Sequence, residues 1–146
     1  MNGGGAVKLL AGEMMQTIQA ALAYDELKPY AGKLGDKLQL MQKVLTFLMD
    51  FAKEGDYERF LSDANLFMEF FSNIVLSWLW LDMATQAKEA LVTGKHNYSE
   101  EFYESKIHAM RFFFKYELVK TNSLAEALMD DDVLTIPTGK KVFVWL

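Results

Sequence analysis

Ala64-Asn65-Leu66-Phe67-Met68-Glu69-Phe70-Phe71-Ser72-Asn73-Ile74-Val75-Leu76-Ser77-Trp78-Leu79-Trp80-Leu81 runs for about five helical turns without a glycine or proline. Phe60, Ala64, Phe67, Phe71, Ile74, Trp78 and Leu81 recur at alternating spacings of four and three, which predicts one helical row facing inward. Leu66, Met68, Phe70, Val75 and Trp80 occupy other faces. A helix apolar nearly all round must be covered on most sides. It is therefore central in its domain, or shared with a second interface. Asp56 is a plausible N-cap, and Thr93-Gly94-Lys95-His96-Asn97 breaks the pattern. The expected helix runs from just after Asp56 to about Val92 and spans roughly 50 Å.

Three further helices fit around it. Leu10, Met14, Ile18 and Ala21 mark a helix from Val7 to about Leu27, with Pro29 as the residue expected to close it. Leu34, Leu38, Met41, Leu45, Leu48 and Ala52 repeat every three or four residues, and Lys33, Asp36, Lys37, Lys43, Asp50 and Lys53 lie on the outer face. That is the seam of a helical bundle, and Gly55 is placed to end it. Ser99 opens the last helix, with Phe102 where a full capping box has Glu. Tyr103, Ile107, Met110, Phe114, Leu118, Thr121, Ala125 and Leu128 form its inward stripe, and Asp130-Asp131-Asp132 ends it. Short connections between amphipathic helices predict an all-α, antiparallel four-helix up-and-down bundle. Residues 1–6, with Gly3-Gly4-Gly5, read as a linker remnant, residues 7–132 as the bundle, and residues 133–146 as a short extended C-terminal tail around Pro137-Thr138-Gly139.

With 146 residues, 51% of them hydrophobic, the chain can bury one continuous core. Its net charge of -5, with Arg59 and Arg111 its only arginines, argues against a nucleic-acid partner, for which forked phosphate contacts are common. It has no cysteine, so disulfides, thiolate metal sites and cysteine nucleophiles are excluded. That composition suits the cytoplasm, and Met1 to Gly5 lack the basic and apolar regions of a signal peptide. The most apolar run, Phe70 to Leu81 between Glu69 and Asp82, is about twelve residues long against the roughly 18 needed to cross a bilayer. A buried core helix is expected there, with no membrane span.

Few residues suggest chemistry. Glu104 and His108 are one helical turn apart, but carboxylate-bridged metal bundles use Glu-x-x-His on two helices. Here the spacing is one residue longer and there is no second copy. The stripe continues through Arg111 and Lys115, as a solvated mixed-charge face does. Glu69 and Asp82 flank the aromatic core; a buried carboxylate there could act as a general base, but the favoured expectation places them at its emerging edges, or paired with Lys106, Arg111 or Lys115. His96 lies in a turn with no evident partner. No phosphate-binding glycine motif occurs. The aromatic residues, 14% of the chain, stand at bundle spacing and read as packing rather than as a flavin or acyl pocket. No catalytic, cofactor-binding or metal-binding residue is assigned.

The order Ala64-Asn65, Trp78-Leu79, Phe102-Tyr103, Lys106 and Ala109-Met110-Arg111-Phe112 resembles the C-terminal helical extension of one branch of the acyl-CoA dehydrogenases. The resemblance covers roughly Asn2 to Leu134. It implies a parent flavoenzyme that binds FAD and oxidises a CH–CH bond of an acyl-CoA thioester in fatty-acid metabolism. In it a glutamate takes the α-proton while hydride leaves the β-carbon for the flavin. The Tyr-Glu-Gly-Thr segment that carries that glutamate in this branch is absent here, so no residue inherits its role. The Leu-Pro frequent in the family near Leu118-Val119 is also missing, and Pro137 to Leu146 departs from the pattern. The resemblance thus implies a non-catalytic domain without its own cofactor. Its partner is the catalytic body of the same enzyme or a neighbouring subunit, a homodimer included. The competing reading is a free-standing helical interaction module. A small metal- or flavin-dependent bundle enzyme would need a second inward set of carboxylate and histidine ligands, which the sequence does not offer.

Overall fold

A computed structural model describes residues 3–130, with only the backbone of Arg59 and Phe60. The expected extended tail lies outside the described residues. Those described are mostly helical, with no strand among them. The helices are α1 (Gly3–Ala21), α2 (Lys28–Lys53), α3 (Tyr57–Ser62), α4 (Ala64–Thr93), α5 (Glu100–Phe113) and α6 (Lys120–Leu128), with a π-helical segment, Phe114–Leu118, joining the last two. They form a bundle with α4 at its centre, packed against α1, α2, α5, α6 and the π segment.

The local chemistry explains where these elements start and stop. Ser99 caps α5 by accepting the Phe102 backbone N–H at 3.2 Å, as its place before an apolar run predicts. Gly94 ends α4 with φ +70°, and Gly55 follows α2 with φ +82°; both are left-handed conformations that cost glycine little. Pro29 does not close the first helix. That helix ends at Ala21, and Pro29 sits in the first turn of α2, where its missing N–H breaks no intrahelical bond. Proline punctuates both events alike, so the sequence alone did not separate them. The glycines expected in a linker belong to the first turn of α1 from Gly3.

Two expected single helices are each divided. The long third one is interrupted at Asp63, whose φ of -109° and ψ of 31° leave the helical region. Its inward row is also turned. Phe70, Ile74, Ser77, Leu81 and Ala84 are completely buried, whereas Phe67, Phe71 and Trp78 are half-buried and Ala64 is exposed. Ser77 hides this row from an apolar reading, although its hydroxyl is satisfied by donating to the Asn73 carbonyl at 2.9 Å. The last helix keeps most of its predicted stripe: Ile107, Met110, Phe114, Leu118, Thr121, Ala125 and Leu128 are all buried, and Tyr103 at its start is half-buried. Two successive steps of four, from Met110 to Phe114 to Leu118, meet the wide π turn, which carries about one extra residue per turn.

Side-chain pairs fix the register. Trp78 Nε1 donates to Thr17 Oγ1 at 2.8 Å, and Lys88 reaches Glu26 at 2.7 Å, so residue numbers rise along α4 as they rise from α1 into the turn that follows it. Tyr30 packs edge-on against Phe114 at 5.5 Å, and Lys37 donates to Asn122 at 2.6 Å, joining α2 to the last helical stretch. Asn73 Nδ2 donates to the Glu117 carbonyl at 3.0 Å, while Met83 adjoins Phe102. Numbers therefore fall along α5 as they rise along α4.

Candidate functional site

The inner face of α4 is spoken for by the bundle; its outer face is not. Met68, Leu76, Leu79 and Met83 are 56%, 46%, 42% and 40% exposed. At 100° per residue they fall within one stripe of the helix surface, roughly opposite Ser77 and Leu81. The stripe continues past Met83 to Phe102 across a hollow that also holds Gln86 and Lys106. Phe102 is itself 38% exposed, packed on Tyr98 at 4.5 Å with the Lys106 ammonium 4.9 Å from its ring centre.

This face also corrects the expectation about length and hydropathy. α4 is long and apolar enough to cross a membrane by those two criteria alone, because Glu69 and Asp82 do not divide it as sharply as the sequence reading supposes. Only 22% of its apolar stretch is buried within the bundle. The buried positions bind the bundle together, and the rest leave an apolar band that the chain itself does not cover. Exposed Ser72 separates Met68 from the other three; scattered exposed apolar side chains are ordinary, whereas large apolar patches mark contact surfaces.

The residues singled out for chemistry are not gathered into a reactive site. Glu104 and His108 line one shallow surface hollow with Glu100, Glu101 and Ser105. Among the described residues no three His, Asp or Glu side chains stand together to hold a metal. Asp82 accepts from Gln86 at 2.9 Å rather than from Lys106, Arg111 or Lys115, and Glu69 is exposed. His96 does have partners: its Nδ1 lies 2.8 Å from the Tyr98 carbonyl and its ring 5.2 Å from Tyr103.

Three charged groups among the described residues are shifted from their ordinary values. Hydrogen bonding to Glu26 raises the pKa of Lys88, and hydrogen bonding to Lys28 lowers that of Asp25. Burial lowers the pKa of Lys37. These are structural pairings at helix ends and seams. Among the described residues one buried side-chain polar atom, Asn73 Oδ1, has no partner.

The chain has no match among curated proteins or solved structures. A family model described as acetyl-CoA dehydrogenase C-terminal like matches residues 10–137, from the middle of α1 to beyond α6. With its helical order, its central two-faced helix and this match over most of its length, the chain belongs to the acetyl-CoA dehydrogenase C-terminal-like family.

Proposed function

We propose that this is a non-catalytic domain whose task is assembly, and that the outer face of α4 docks on the catalytic body of an FAD-dependent acyl-CoA dehydrogenase. The observation that carries this is the band of Met68, Leu76, Leu79 and Met83, apolar and exposed on the helix that also organises the core. Burying such side chains contributes about 25 cal/mol per Å² of apolar surface, so a complementary face gains affinity without any charged contact. Family membership supports the choice of partner. In this reading FAD stays with the catalytic body, in the cytoplasm, and docking holds that body or its subunits in place.

Leu79→Glu and Met83→Lys in one chain test it. The double variant is expected to melt as the parent chain does, yet to lose co-purification with the flavin-containing body encoded with it. Retained co-purification would sink the proposal, as would a stoichiometric flavin band in the purified 146-residue chain.

A further inference from the structure

A second surface, separate from the α4 band, runs along the outer face of α5. Two hollows of similar size adjoin there and share His108. The N-terminal one, about 540 Å³, is lined by Glu100, Glu101, Glu104 and Ser105. The C-terminal one, about 590 Å³, gathers Lys33, Arg111 and Lys115 around the rings of Tyr30, Phe112 and Tyr116. Among the described residues none of these three cations has a carboxylate partner; the ion pairs engage Lys28, Lys88 and Lys120 instead. Phe112 and Tyr116 are 55% and 49% exposed, with their rings 4.8 Å apart.

The order of the charges matters more than their number. Glu101 and Lys115 stand equally far from His108 on opposite sides, each roughly 10 Å along the helix. Glu104 and Phe112 are likewise equidistant from it, nearer in. A small anion would suit the basic hollow but would be repelled by the acidic one beside it. A partner that satisfies both must present basic and then acidic groups in the reverse direction. This chain carries that order itself, and a two-fold contact pairs each residue with its counterpart in both directions.

We propose that α5 is the contact face for a second copy of this chain, with the two α5 helices crossing in opposite directions over a two-fold axis at His108. Glu101 and Glu104 of each copy then meet Lys115 and Arg111 of the other. The Phe112 ring of each enters the acidic hollow beside Ser105, the small residue that leaves it room. The inference rests on reading the chain as an assembly domain, and it uses a face that the α4 docking leaves free.

Charge swapping in the full 146-residue chain provides the test. The wild-type chain is expected to sediment as a dimer. Its dissociation constant should rise about tenfold between about 0.05 M and 0.5 M salt, where the screening length falls from well above 10 Å to a few Å. E101K/E104K and R111E/K115E should each be monomeric where the wild type is dimeric. Mixed in equal amounts, they should form a heterodimer, because every like-charge contact becomes an opposite-charge one. The chain contains no cysteine, so H108C adds a second measurement on the folded protein. It should oxidise to a disulfide-linked dimer at least about tenfold faster than an exposed control, Q39C, since only a two-fold contact holds its thiols at high effective concentration. A mixture that stays monomeric, or equal cross-linking at both positions, would overturn the proposal. So would a wild type that remains monomeric at about 1 mM. The α4 variants are judged by flavoprotein capture and these by self-association, so either reading can fail alone.

Discussion

Replacing Asn73 by Asp exchanges one heavy atom, the amide nitrogen for an oxygen, and tests how α4 holds the π segment. Asn73 Nδ2 donates to the Glu117 carbonyl at 3.0 Å, while its Oδ1 is buried with no partner. Asn73→Ala loses the bond and removes the orphan oxygen with it, so it should cost about 1 kcal/mol, near the net value of one hydrogen bond. Asn73→Asp loses the donor and keeps an oxygen without one. It also adds charge facing a carbonyl, for a total of about 2–3 kcal/mol at about pH 7. A domain of this size shifts its midpoint by roughly 2–4 °C per kcal/mol, so the Asp variant should melt roughly 5–10 °C below wild type.

The pH dependence follows from the same geometry. The carboxyl's pKa in the folded state is raised above the unfolded value of about 3.9. Its penalty is therefore present above the folded pKa and relieved as pH falls through it, when the acid O–H can donate to Glu117. Urea melts followed by fluorescence of the three tryptophans should show Asn73→Asp less stable than Asn73→Ala at about pH 7 and recovering toward it near about pH 4.5. Coincident melts of the two variants at neutral pH would refute the reasoning.

Three other outcomes are expected. Ile74→Ala, at a completely buried position, should cost about 2–5 kcal/mol in urea denaturation, whereas Leu79→Ala should stay within about 0.5 kcal/mol in the same assay. Gly94→Ala should cost about 1 kcal/mol in thermal melts through backbone strain alone, since φ is +70° and nothing lies within 4 Å of the added methyl. Lys88→Met should cost less than about 1 kcal/mol after screening of its partly exposed pair with Glu26. Because the folded pKa of Lys88 is raised above 10.5, its contribution is complete below that value and lost as pH climbs through the raised one. Alkaline melts should therefore fall more steeply for wild type than for Lys88→Met.

Much of the bundle could be read from side-chain spacing. The stripe from Ile107 to Leu128 is buried as predicted, because every position in it is apolar except Thr121, whose hydroxyl donates to the Leu118 carbonyl at 2.6 Å. The row on α4 was harder. A helix apolar all round gives no contrast between faces, and its true inner row passes through Ser77 while Trp78 and Phe71 lie at its margins. The break at Asp63 was concealed because apolar spacing continues across it. The candidate surface was half legible: the sequence placed α4 either at the centre or at a second interface, and the structure puts it at the centre with one face left exposed. The opposed hollows on α5 needed coordinates, since Lys33 arrives from α2 and no local pattern joins it to Arg111 and Lys115.

The two faces of α4 also decide what measurements on the separate chain can reveal about its constraints. Ile74 answers to its own bundle, so a substitution there registers as lost stability wherever the chain is studied. In the docking proposed above, Leu79 answers to a surface contributed by another body. A tolerance map built from folding yield alone would then score Leu79 and Met83 as free to vary. The same map made with the partner present would record them as fixed. The difference between the two maps would trace the docking footprint residue by residue, without a structure of the complex.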